Sequence, residues 1–104
     1  MWLEKQGFAI VAQNLRVGRD ELDIVARNGP LIAVVEVRFR GAGALTRGFG
    51  SLDTKKRLRV RRAGERLWQR RYKNDPSVER LRFDAASVRF VDGEAVIEYA
   101  VAAF

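Results

Sequence analysis

The stretch from Leu31 to Phe39 constrains the fold more than any other. Leu-Ile-Ala-Val-Val-Glu-Val-Arg-Phe is the most apolar run in the chain and reads as a central strand, buried on both faces. It is entered through Asn28-Gly29-Pro30, a strong hairpin signal. Before that, Glu21 to Arg27 alternates as Glu-Leu-Asp-Ile-Val-Ala-Arg, a half-buried strand. Phe8 to Val17 reads as a further strand with a bulge marked by Asn14, and Gly18-Arg19-Asp20 as a turn. Trp2 to Gln6 reads as the last turn of a helix closed by Gly7. So short a helix is marginal alone, so the expectation is a helix truncated at its start or a turn docked on the core.

Downstream, the glycines at 41, 43, 48 and 50 predict a mobile loop. Asp53 or Thr54 is suited to cap a helix running to about Tyr72, which Asn74-Asp75-Pro76-Ser77 ends. Leu81–Phe90 and Ala95–Val101 read as two more strands around the Asp92-Gly93 turn. The order is α-β-β-β-α-β-β, with no repeat, and 104 residues allow a single domain over 1–104.

The composition excludes much chemistry. There is no cysteine and no histidine, hence no disulfide, no thiolate or imidazole metal site, and no Ser-His or Cys-His nucleophile. Hydrolytic chemistry would have to run through carboxylates and a hard cation, Mg2+ or Mn2+. No apolar run approaches the roughly 20 residues of a membrane span, and Met1 to Gln6 carry no signal-peptide pattern. With zero cysteines this favours a cytoplasmic location. A formal charge of +7 points to a polyanionic partner, nucleic acid first.

Side chains alternate along a strand, so Glu21 and Asp23 share one face of their strand, and Glu36 and Arg38 share one face of the next. A two-residue Asn28-Gly29 turn would set Glu36 opposite Glu21; a four-residue loop would set Asp23 opposite Glu36. Both registers put Asp23, Glu36 and Arg38 on one side of the sheet. Opposed carboxylates are destabilising, and a charge inside an apolar run costs unless it is compensated. A divalent ion held by Asp23, Glu36 and the strand carbonyl of Val37 would compensate both, with Arg38 beside the scissile phosphate. The competing reading is structural: Glu36 pairs with Arg38 or Arg40, or both acids face solvent.

Half of the 20 Lys and Arg fall between Thr54 and Lys73, against one acid there, Glu65. At about 100° per residue, Lys55, Arg59, Arg62, Arg66 and Arg70 form one stripe. Val60, Ala63, Gly64, Leu67 and, at the margin, Trp68 form another, which would pack on the sheet. A basic stripe beside an apolar one suits tracking of a phosphate backbone. A solvated basic face is the plainer reading. A membrane-surface helix needs bulky apolar residues free to insert, and here the core requires them, so no membrane partner is expected.

Leu3-Glu4-Lys5-Gln6-Gly7-Phe8, Asn14, Glu21-Leu22-Asp23-Ile24-Val25-Ala26, Val35-Glu36-Val37-Arg38-Phe39-Arg40, Asp53-Thr54-Lys55-Lys56-Arg57, Arg82-Phe83-Asp84 and Phe104 together resemble the bacterial YraN-type proteins, uncharacterised protein family 0102. The resemblance covers essentially the whole chain. That family is related to the restriction-endonuclease-like superfamily with its PD-(D/E)xK arrangement, which includes Holliday-junction resolvases. The resemblance implies a restriction-endonuclease-like α/β core, with a central mixed five-stranded sheet flanked by helices. It further implies Asp23 and Glu36 as metal carboxylates, Glu21 as accessory, and the position of Arg38 as the catalytic basic residue. The family usually has Lys there, and Arg cannot serve as a base. The expectation is a metal-dependent nuclease-like domain acting on structured DNA, with Arg40 and the helix stripe as backbone contacts and homodimers as in the resolvases. The alternative is a binding module of the same fold with a lost active site.

Overall fold

The computed structural model describes residues 1–40 and 54–104. The predicted glycine-rich loop and the Asp53 cap lie outside the described residues. The elements are α1 (Trp2–Lys5), β1 (Ala9–Val17), β2 (Asp20–Asn28), β3 (Leu31–Arg40), α2 (Thr54–Leu67), β4 (Arg80–Val91) and β5 (Glu94–Ala100). They build an open mixed sheet in the order β1-β2-β3-β4-β5. Neighbours are antiparallel except β3 and β4, which run parallel, with α2 in the connection between them.

β3 is central, as its composition demands. Ile32, Ala33, Val34 and Val35 are each 0% exposed, because both faces of the strand are covered. On one face Val25, Ile32, Val34 and Phe83 pack against Val60, Ala63 and Leu67 of α2. On the other, Ala26, Ala33, Val35 and Ala86 pack with Leu3 of α1 and the half-buried Trp2 and Tyr99. Fully burying a large aliphatic or aromatic side chain stabilises by about 1.5–3 kcal/mol, so the two layers are what hold the sheet. The inner face of α2 is the predicted one: Val60, Ala63, Gly64 and Leu67 are buried. Gly64 is required there by proximity, since a Cβ would meet the Phe83 ring at 2.5 Å.

The end of the helix differs from expectation. Trp68–Tyr72 is a π-helical segment, not a last α-turn, closed by Lys73 N–H donating to the Trp68 carbonyl at 2.8 Å. The wider turn shifts the inward face by one residue and carries Tyr72 into the core. The hairpin between β2 and β3 pairs Asn28 with Leu31, through a two-residue Gly29-Pro30 turn. Gly29 has φ +60 and proline is confined to negative φ, the pattern of a type II′ turn. The register is therefore the one that brings Asp23 level with Glu36. The irregularity predicted at Asn14 falls in two places. The register of β1 against β2 shifts between Ile10 and Ala12. Asn14 itself takes a left-handed φ of +49, tolerated because a short polar side chain fits that region.

Candidate metal and phosphate site

Asp23 sits where the sheet opens. The β1–β2 ladder passes from Gln13↔Ile24 to Leu15↔Leu22, leaving Asn14 and Asp23 out of it, and the β2–β3 ladder ends at Ile24↔Val35. β3 continues alongside β4 as far as Arg40↔Arg89. In place of a ladder bond, the Asp23 carboxylate accepts the Val37 N–H at 2.9 Å. This fixes the carboxylate beside β3 and engages the main chain of Val37, expected as a metal ligand through its carbonyl, by its N–H.

Glu36 lies one step along on the α2 face and is only 3% exposed. Its partner is a residue the stripe argument passed over. Lys56, in the first turn of α2, places Nζ 2.6 Å from Glu36 Oε1. The contact is an ion pair off the geometry of an aligned hydrogen bond, which Oε1 otherwise lacks. Burial pushes the Glu36 carboxyl above its usual range; the close Lys56 ammonium opposes this, the nearby Asp23 charge adds to the rise, and the Arg38 charge opposes it. The predicted trio of Asp23, Glu36 and Arg38 is thus brought together electrostatically, and Arg38 is half-buried.

Asp23 opens into a groove of about 490 Å3 lined also by Arg19, Asp20, Glu21, Lys56, Arg59 and Val60, while Glu36 stays buried and reaches that groove only through its partner Lys56. Glu21 is exposed at the rim. Lys55, Arg59, Arg62, Arg66 and Arg70 are all exposed along α2 and its π-helical extension. Arg62 is held by the buried Asp20, with Nη2 3.2 Å from Oδ2. Arg40 is placed elsewhere: its Nη1 lies 3.6 Å from Glu98 of β5.

The donor set fits a hard cation in one respect and falls short in another. Two carboxylates, one with a buried oxygen lacking an aligned hydrogen bond, suit Mg2+, which keeps several waters and takes one or two protein carboxylates. Among the described residues, however, no group of three or more Asp or Glu side chains converges as a metal cage. Nor, among them, is any helix long and apolar enough to cross a membrane.

Residues 1–88 match the family model described as uncharacterised protein family UPF0102. The chain belongs to this family. It is 58% identical over 103 residues to a UPF0102 protein of Sorangium cellulosum, covering 98% of this chain and 72% of the relative. It is 37% identical over 103 residues to one from Anaeromyxobacter dehalogenans, covering 99% and 75%. A third relative, from Desulfitobacterium hafniense, is 39% identical over 93 residues, covering 88% and 74%.

This UPF0102 member contains a third buried acid, besides Glu36 and Asp20, to which the sequence reading gave no role. Asp84 of β4 is 0% exposed. It accepts two hydrogen bonds from Arg82, at 2.8 and 2.9 Å, one from the Tyr99 hydroxyl at 2.6 Å and one from the Ala102 N–H at 2.9 Å. The Tyr99 phenol is pushed well above its usual range by burial and by its bond to Asp84. Fully satisfied, Asp84 ties β4 to β5 and to the turn after it. It has no acceptor capacity facing the groove. The signal available was Arg82-Phe83-Asp84, a basic and an acidic residue two apart on one strand face, but their partners lie far along the chain.

Proposed function

We propose that this chain binds nucleic acid, DNA first, along the groove between β2 and α2, and hydrolyses phosphodiester bonds there with Mg2+ or Mn2+ on a restriction-endonuclease-like core. The observation that carries the proposal is Glu36: a carboxylate buried beside Asp23, its charge met at one oxygen by Lys56, where Asp23 and Lys56 in turn line a groove together with Arg19 and Arg59. A fold seldom buries a carboxylate next to another unless the charge is used. The α-β-β-β-α-β-β order, the parallel β3–β4 pair and the resemblance to the PD-(D/E)xK proteins support the core assignment.

Asp23 and Glu36 would hold the ion, which when bound supplies Lewis acidity and an activated water. Asp23 is already oriented by the Val37 N–H, and the burial of Glu36 excludes bulk water from its side of the site. Arg38 lies close enough to bias the Glu36 charge, and its guanidinium is suited to stabilise charge developing on phosphate. The exposed cations of α2 hold the backbone, and five such contacts give a slope of log K against log salt of roughly −4 to −5.

Binding without cleavage is the second reading. Arg38 stands where the resembling family usually has Lys, and Lys56 already pairs with Glu36. The test is cleavage of branched and linear DNA in Mg2+ or Mn2+ by the wild type, Asp23→Asn and Arg38→Lys, with salt-dependent binding measured in parallel. Cleavage lost in Asp23→Asn supports the nuclease. Cleavage only in Arg38→Lys supports a decayed site. Absence of salt-dependent DNA binding would sink both.

A further inference from the structure

We propose that Arg19, Arg62 and Arg66 form a phosphate-binding pocket at the β1–β2 turn, beside the acidic pair and independent of any metal there. It rests on the nucleic-acid reading only for the source of the phosphate.

The turn is Gly18-Arg19, between Val17 and Asp20, which pair. Gly18 has φ +63, and a Cβ on it would lie 2.8 Å from Arg66 Nη1, so the Arg66 head packs over the turn backbone. Asp20, 8% exposed, grips Arg62 at 3.2 Å and sets its direction. Together with Arg19 these residues line a cavity of about 440 Å3, roomy enough for a phosphate with its attached group.

Three guanidiniums thus face one carboxylate. Asp20 is engaged by Arg62, and among the described residues neither Arg19 nor Arg66 has a carboxylate within ion-pair reach. Converging like charges repel, and the self-repulsion is relieved by an anion bound between them. All three are arginines, whose planar forks match phosphate oxygens in pairs. Arg19 and Asp20 also line the groove of Asp23, so a phosphate held here belongs to the same strand track, one step from the acids. A backbone phosphodiester and a terminal phosphate present the same chemistry.

The experiment uses the full chain without divalent ions. Inorganic phosphate is titrated while the arginine side-chain Nε–H signals are followed by NMR, with chloride matched for ionic strength. Saturable shifts are expected at Arg19, Arg62 and Arg66, weakened about tenfold or more in Arg66→Gln and Arg19→Gln, both exposed positions. Uniform shifts at all exposed arginines, or unchanged binding in both variants, would overturn the pocket.

A second arm compares one single-stranded oligonucleotide with and without a 5′-phosphate. Tighter binding of the phosphorylated strand, lost in Arg66→Gln, identifies a terminal phosphate. Equal binding of the two, weakened alike in Arg66→Gln, identifies a backbone phosphate. DNA binding unaffected by either variant, with no phosphate shifts, overturns the pocket and leaves the nucleic-acid reading standing. Phosphate shifts at the three arginines without DNA affinity leave the pocket and remove that reading.

Discussion

Replacing Lys56 by Met, alone and together with Glu36→Gln, tests whether the buried carboxylate depends on the helix lysine. Removing one partner of a fully buried pair costs about 3–5 kcal/mol, whereas an exposed pair contributes about 0–1 kcal/mol. This pair is mixed: Glu36 is 3% exposed at its side chain and Lys56 is 48% exposed, with Nζ to Oε1 at 2.6 Å. Intermediate exposure places the cost of Lys56→Met at about 2 kcal/mol at neutral pH and low salt. In the Glu36→Gln background the same change should cost less than about 0.5 kcal/mol, because Lys56 then turns to solvent. Urea unfolding of the four proteins gives the cycle.

Proton linkage gives the same test a second axis. The folded state holds Glu36 above its ordinary 4.5, so it binds more protons than the unfolded state, and stability falls as pH rises from 4.5 through the folded value. Glu36→Gln should therefore be more stable than wild type at pH 7, the difference closing as pH drops below 4.5. If the acids hold Mg2+, the ion replaces the lost lysine charge in Lys56→Met and stabilises it by about 1.4 kcal/mol at ten times its Kd. A coupling energy near zero at low salt would refute the ion-pair argument, whatever DNA assays show.

Asp84→Asn should destabilise by about 3–5 kcal/mol, since it leaves Arg82 without its bidentate partner. Absorbance titration of the still-folded variant should show the Tyr99 phenol ionising at lower pH than in wild type. Gly64→Ala should lose about 1–3 kcal/mol to crowding against Phe83, despite a gain of about 1 kcal/mol in helix propensity. Thermal unfolding that shows Gly64→Ala equal to wild type or more stable would mean that α2 sits less tightly on β4 than described.

The elements were legible because each strand states its environment. β3 reads as a continuous apolar run because both its faces are covered, whereas β2, read as half-buried from its alternation, is covered on both faces at Val25 and Ala26. The inner face of α2 follows from spacing alone. Lys56 was not legible: seven cations crowd that helix, and only the angle at which it crosses β3 decides which one reaches Glu36. Asp20 read as the last residue of a turn, yet it is buried because α2 brings Arg62 over it. The role of Asp84 was hidden for the same reason, its partners being supplied by β5 and the turn beyond. Local pattern fixes which face a residue occupies, and distant elements fix what that face meets.

The two kinds of pairing along β3 also set an order of events. Asn28 meets Leu31 across two residues, whereas Leu31 meets Arg80 only after the chain has travelled through α2. Closing the shorter loop costs less entropy, so the β1–β2–β3 meander is expected to assemble ahead of β4 docking. Asp23 and Glu36 belong to that early unit, while Lys56 and the Phe83 contact arrive with the later one. The carboxylate pair therefore forms in water and is desolvated last, and the barrier to completing this fold includes stripping solvent from Glu36.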